Sequence, residues 1–252
     1  MIVRHYDKME VGIYDTNAAT GQAAAGDLAR ILREAIAERG EAAIIVATGN
    51  SQLTFMEALR GEPGIAWDHV TIFHMDEYLG MAEEHPASFR RFIREKLAEP
   101  LRARRFYGIQ GDTGDVEAEI GRYSRLLEEH RPVACVLGIG ENGHLAFNDP
   151  PADFAAHQMM QVVTLAETAR RQQVGEGHFA TLADVPTQAL TLTIPALLAP
   201  PYVLGVVPEA RKAEAVQQAL EGPVTPDCPA SILRTRPHVT LYLDQESSAL
   251  LE

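Results

Sequence analysis

Hydrophobic and polar positions along this chain alternate between long stretches with a period near 3.6 and short, continuous apolar runs. The runs within 41–47 (EAAIIVA), 133–139 (VACVLGI) and 202–207 (YVLGVV) are apolar at successive positions, so both faces of each strand must be covered. Further strands are predicted at 70–74 and near 159–165, 188–194 and 238–243. Helical spacing marks 17–39, 51–60, 86–99, 115–129 and 209–220. Asn17 or Thr20 is the expected cap of the first helix and Gly40 its stop, and Ser51 or Asn50 caps the second. In 86–99, Phe89, Phe92, Ile93 and Leu97 make an apolar face, with Arg90, Arg91, Arg94 and Lys96 on a solvated opposite face. No linker, low-complexity tract or internal repeat interrupts the order. It predicts one α/β domain over 1–252, with a mostly parallel sheet covered by helices.

A chain of 252 residues, 46% of them hydrophobic, can bury a full core. It has no apolar run of about 18 residues, so no membrane span is expected. Its start, MIVRHYDKME, lacks the basic-then-apolar order of a secretory signal, which makes the cytoplasm the expected location. Cys135 lies in an apolar strand and Cys228 in a proline-rich loop. Neither has metal-ligand or redox-pair spacing, so both are expected as reduced thiols. Lys and Arg total 22 against 35 Asp and Glu, a formal charge of −13 that opposes a broad nucleic-acid surface. An anionic small molecule remains a suitable partner if its site supplies local cations or backbone N–H groups. The number of subunits is open, a homo-oligomer included.

Candidate chemistry gathers at strand ends. The run 133–139 passes into Gly138, Gly140 and Gly143, then His144, then Asp149. The segment FHMDEYLG at 73–80 has the same build and brings Asp76 and Glu77. In a parallel sheet both ends open on one crevice, where a carboxylate and an imidazole can move protons on a bound sugar. Singly, Asp76 and Asp149 could be loop caps and His144 a turn histidine; as a set they point to acid–base catalysis without metal. Upstream of both, Ala47-Thr48-Gly49-Asn50-Ser51 reads equally as an anion cradle or as an ordinary strand-to-helix turn. Gly138-Ile-Gly140-Glu-Asn-Gly143 also matches a dinucleotide fingerprint. Pro150 and Pro151 follow too soon for the helix on which a pyrophosphate would rest, so no nicotinamide cofactor is expected.

At these residues the chain resembles the glucosamine-6-phosphate deaminase family, within the larger set that includes 6-phosphogluconolactonases. ATGNSQLTF, MDEYLG with EHPASF, LGIGENGHLAFNDP, DVPTQALTLTI and EARKAEAVQQALEG carry the likeness over most of the chain. The resemblance implies a three-layer, Rossmann-like fold of sugar-phosphate isomerase type. It also implies an enzyme of amino-sugar metabolism, a hydrolase or isomerase, that turns glucosamine 6-phosphate into fructose 6-phosphate and ammonia without a cofactor. On that likeness Asp76 moves the proton from C2 to C1, and His144 opens the pyranose ring with Asn142 and Asp149 behind it. Lys212 binds phosphate with Thr48, Gly49, Asn50 and Ser51, and Glu77, Gly143 and His178 complete the substrate site. Three positions depart from the family. Asn142 stands where an aspartate is usual, Asp149 where a glutamate is usual, and the stretch RRQQVGEGHF offers only His178 or Arg171 where an arginine is expected. An amide cannot stabilise imidazolium by charge, so the departure at 142 predicts a weakened relay, slow on glucosamine 6-phosphate or adapted to a related sugar phosphate. The alternatives are a lactonase-like hydrolase, which MDEY followed by HPAS opposes, and a sugar-phosphate sensor with weak or no turnover.

Overall fold

A computed structural model describes the chain except for Glu176 and His178 and the side chains of Thr168, Ala169 and Gln172. Its larger sheet runs β1 (Ile2–Tyr6), β2 (Met9–Tyr14), β11 (Val239–Asp244), β10 (Tyr202–Val207), β7 (Ala134–Leu137), β3 (Ala42–Val46), β4 (Val70–His74) and β6 (Arg105–Tyr107). Neighbours are parallel throughout except for the β1–β2 hairpin. Alternate residues of β3 and β7 enter opposite cores, as the double-sided apolar runs require. Ala43, Ile45, Cys135 and Leu137 meet Leu127 and Val216 on one face. Ile44, Val46, Ala134 and Val136 meet Leu28 and Phe55 on the other. These are the three layers.

The chain steps outward from β3 to β4 and β6, then returns to β7 and proceeds the other way through β10 and β11. A switch of direction between β3 and β7 leaves a crevice at their carboxyl ends, where loops leave toward opposite sides.

Several local expectations are revised. The first helix, Asn17–Arg39, is capped by Thr16, whose hydroxyl accepts from Ala19 N–H, and it ends at Gly40 in the left-handed region (φ 78°). The second begins as a 3-10 turn, Asn50–Gln52, and continues as Leu53–Gly61 with no side-chain cap, which leaves Asn50 and Ser51 uncommitted to that task. The third is a composite of Phe89–Ile93, a π turn Arg94–Ala98, and Glu99–Leu101. Arg90 is not solvated but buried, its guanidinium 2.8 Å from Asp112 and 3.6 Å from Glu83. The predicted strands near 160 and 190 do not join the main sheet. They are β8 (Met160–Thr164) and β9 (Gln188–Leu192), which form an antiparallel sheet with β5 (Asp76–Tyr78) in the order β5-β9-β8.

Candidate active site

The carboxyl ends of four adjacent parallel strands, β10, β7, β3 and β4, open on one cleft of about 150 Å³. Thr48 to Ser51, Asp76, Gly138 to Gly140, His144, Arg211 and Lys212 line it. Phe89, Phe147 and Gln173 close one side, and Tyr78 behind them packs on both phenylalanines and donates its hydroxyl to Gln173.

The turn after β3 starts with Gly49 at φ 104°, a conformation that costs a side-chain-bearing residue dearly. Ala47 N–H donates to Val136, and buried Gln52 donates from Nε2 to the carbonyl of Val206, so the turn is tied to both β7 and β10. Its backbone N–H groups and the Thr48 and Ser51 hydroxyls border the cleft at the start of a helix, the environment an anion favours. Across from it, β10 ends in the 3-10 turn Ala210–Lys212, which brings buried Lys212 to the same cleft. Arg211 lines it too and was not anticipated from sequence. The signal was available: two successive cations at a strand end in a strongly acidic chain.

Asp76 opens β5, opposite Thr191 of β9. The strand end before it is clamped from behind. Tyr123 donates its hydroxyl to the His74 carbonyl (2.7 Å) and accepts from His74 N–H (3.0 Å), while His74 Nε2 accepts from Ile109 N–H (2.8 Å). Burial, and next the positive charge of Arg90, lower the His74 pKa to about 3, so its ring is neutral. The Asp76 carboxyl is almost wholly buried, and its Oδ1 meets no hydrogen-bond partner among the described residues. Burial first, and the neighbouring Glu77 second, push its pKa up to about 8. A salt-bridged carboxylate would shift the opposite way.

Glu77, one residue on, points the other way, as the period of two demands. It does not line the cleft. Its fully buried carboxylate accepts from the backbone N–H groups of Tyr78, Phe89 and Arg90 and from the Ser88 hydroxyl at 2.8–3.2 Å, which corrects its assignment to substrate. Burial still raises its pKa against those four bonds.

His144 is held from Nδ1. The Asn142 Oδ1 lies 2.7 Å away and the Asp149 Oδ1 3.3 Å away, and Asn142 donates from Nδ2 to the same Asp149 oxygen at 3.0 Å. That last bond turns the amide so its oxygen faces the imidazole, which places the proton on Nδ1 and leaves Nε2 as the basic nitrogen. Burial would raise the Asp149 pKa, but the hydrogen bond and charge of His144 and the Asn142 amide together hold it below the ordinary value. The charge absent from residue 142 is therefore supplied by Asp149 directly. The ring lies over Gly140, where any Cβ would overlap it.

Gly143 is a turn glycine (φ 82°) whose missing side chain makes room for the Cys228 sulfur, 3.0 Å from where a Cβ would stand. It is not among the residues that line the cleft, which revises its assignment to the substrate site. Beyond it the chain turns through a Leu145–Asn148 bridge instead of entering a helix, as the two prolines imply. His178 lies outside the described residues. Arg171 is exposed and paired with Glu167, away from the cleft. Among the described residues no three His, Cys, Asp or Glu side chains gather in a metal-holding group, and no helix is long and apolar enough to cross a membrane.

Residues 15–242 match the sequence model of the family described as glucosamine-6-phosphate isomerases/6-phosphogluconolactonase. The chain is 37% identical over 223 residues to a glucosamine-6-phosphate deaminase of Exiguobacterium sibiricum, covering 88% of this chain and 86% of that protein. A glucosamine-6-phosphate deaminase of Bacillus cytotoxicus is 33% identical over 221 residues, 88% of this chain and 82% of its own length. Among solved structures, a monomeric glucosamine-6-phosphate deaminase superposes with a TM-score of 0.86 at 29% identity, covering 95% of this chain and 99% of that one. A 6-phosphogluconolactonase from Shewanella baltica gives 0.76 at 21% identity over 93% and 96%, a likeness of fold alone.

Proposed function

The chain belongs to the family of glucosamine-6-phosphate isomerases and 6-phosphogluconolactonases, and on that premise we propose that it converts glucosamine 6-phosphate and water to fructose 6-phosphate and ammonia. One observation supports this most: a buried Asp76 carboxyl with one oxygen unpartnered and a carboxylate-backed His144 meet in one cleft that also holds the 48–51 turn and Lys212.

In this reading the phosphate lies against the N–H groups and hydroxyls of Thr48 to Ser51 and against Lys212. His144 Nε2 takes the proton of the C1 hydroxyl and returns one to the ring oxygen, so the pyranose opens. The imidazolium formed in passing is stabilised by Asp149, with Asn142 keeping the ring in orientation. Ionised Asp76 then removes the proton at C2 and delivers it to C1, while the C1 oxygen gains a proton and the amine gives one up. The amine-bearing C2 is left as an imine, which water hydrolyses to the ketose and ammonia. A carboxyl whose pKa approaches 8 is a stronger base than an ordinary aspartate, and this suits removal of a carbon-bound proton.

Ammonia and ketose release should be measured on a panel of hexosamine and hexose 6-phosphates, with a lactone as control. Both products are expected from glucosamine 6-phosphate, and both are lost in Asp76→Asn while phosphate still binds. Binding without turnover, indifferent to Asp76→Asn, would instead identify a sensor. Lactone hydrolysis without ammonia release would identify a hydrolase.

A further inference from the structure

We propose that Thr191, in the middle strand of the smaller sheet, is a positioning residue that holds the loop carrying His144 at a fixed place relative to Asp76. The proposal rests on the sugar-phosphate reading above and adds what keeps its base and its histidine in register.

The sheet supplies the first argument. Asp76 of β5, Thr191 of β9 and Gln161 of β8 stand opposite one another across three strands, so their side chains share one face. Leu192 N–H donates to the Met75 carbonyl, and Leu79 N–H donates to that of Gln188. Hydrogen-bonded pairs therefore fall at Met75 and Leu79 and, by alternation, at Glu77. Asp76 and Thr191 are then a non-hydrogen-bonded pair, the closer kind, with Cα atoms about 4.5 Å apart.

The loop supplies the second. Phe147 N–H donates to the Thr191 hydroxyl at 3.2 Å, and Gln161 Nε2 donates to Asn148 Oδ1 at 3.3 Å. The row of side chains that starts with Asp76 thus receives the chain just after His144. Asn148 closes the turn, its Nδ2 donating to the carbonyls of Leu145 at 2.8 Å and Leu192 at 2.9 Å. Thr191 is fully buried and Asn148 nearly so, and removing the hydroxyl would strand a buried N–H at Phe147. Between His144 and Phe147, Ala146 sits at φ 52°, which a residue bearing a Cβ keeps only where its surroundings impose it.

The hydroxyl supplies the third. A threonine has one O–H donor. Thr191 directs it to the Leu192 carbonyl at 3.2 Å while its Oγ1 accepts from the loop. The proton is thereby committed away from Asp76, whose Oδ1 has no hydrogen-bond partner among the described residues. One side chain fixes the loop and leaves the neighbouring carboxyl unbonded.

The test compares Thr191→Val, which keeps the shape and loses the hydroxyl, with Thr191→Ser, which keeps the hydroxyl. It reads kcat and KM for glucosamine 6-phosphate, inorganic phosphate binding by calorimetry, and amide hydrogen exchange at Phe147. In Thr191→Val, kcat is expected to fall about tenfold to a hundredfold, with KM and phosphate affinity within about twofold of wild type. Exchange at Phe147 should quicken by about tenfold or more, and Thr191→Ser should recover most of both losses. In a His144→Gln background the valine change should alter kcat by less than about twofold, since no imidazole is left to misplace. Thr191→Ala replaces valine in every comparison if that variant folds poorly. Wild-type kcat in Thr191→Val overturns the proposal, and so does a serine variant no better than valine, which would make the methyl group the working part. A parallel loss of phosphate affinity, or an undiminished effect beside His144→Gln, overturns it as well. The two readings fail separately. No ammonia from any hexosamine 6-phosphate refutes the deaminase, while quickened exchange at Phe147 in Thr191→Val still upholds the hold on the loop. Ammonia release at the wild-type rate in Thr191→Val does the reverse.

Discussion

Asp76 and Asp149 are the same residue type, each in the segment that follows a buried parallel strand, and their surroundings drive them in opposite directions. Asp76 is dry, has a like charge behind it, and keeps an oxygen without a partner, so its pKa climbs to about 8. Asp149 is partly buried too, but an imidazole and an amide face it, and its pKa falls. Desolvation raises the pKa of both carboxyls, more strongly for the deeper Asp76, and the partners facing Asp149 reverse the direction there. The difference fits the roles proposed for them: a raised carboxyl is suited to taking a carbon-bound proton, whereas a lowered one is suited to staying charged beside a cation.

The largest expected effect comes from removing the raised member. Asp76→Asn should reduce ammonia release by about three orders of magnitude or more. The same change should increase stability at alkaline pH. The folded pKa lies above the ordinary value of 3.8, so the stability this group contributes is whole below that value and is lost as pH rises through about 8. The Tm of Asp76→Asn should therefore exceed that of wild type by more at about pH 9 than at about pH 5. Equal differences at the two pH values would show that burial does not raise this carboxyl.

Removing the lowered member should cost less. Asp149→Asn keeps the amide at 142 but deprives His144 of its nearby negative charge, and kcat should fall about 10²- to 10⁴-fold. Asn142→Asp, in contrast, should alter kcat by less than about tenfold, because Asp149 already supplies the charge. If Asn142→Asp instead restores a large factor, the charge of Asp149 does not reach the imidazole in the working enzyme.

The pH profile probes Asp76 without mutation. Because the base must be ionised, kcat/KM should rise with pH through a limb near 8 and fall away on the acid side. A limb at the ordinary aspartate range would remove the basis of the comparison. The smallest expected change is behind the site. Tyr123→Phe deletes a buried hydroxyl that both donates to and accepts from the His74 backbone, which should lower stability by about 1–3 kcal/mol in urea unfolding.

Much of this architecture was legible in the residues. The runs EAAIIVA, VACVLGI and YVLGVV announced central strands, because only a strand covered on both faces tolerates apolar side chains at successive positions. The glycines and His144 after β7 and the ATGNS turn after β3 stand at strand ends, as the local pattern predicts, since that pattern governs where a strand stops. The pattern does not announce the N-terminal hairpin, because its β1 is largely exposed and mixed in polarity and lacks the signal that marks the inner strands.

Partnership lay beyond the residue pattern. Short apolar runs at 160 and 190 are equally compatible with either sheet, and only contacts across the chain put β8 and β9 beside β5. Asp76 and Glu77 look alike in sequence, yet one meets the cleft and the other caps the segment at 88–90, because a strand turns successive side chains to opposite faces and burial then differs. Arg90 read as solvent-facing until Glu83 and Asp112 came to meet it. Spacing along a chain sets local geometry and average burial, whereas charge, tautomer and pKa depend on atoms brought within a few ångströms from distant segments, and those distances exist only once the chain has folded.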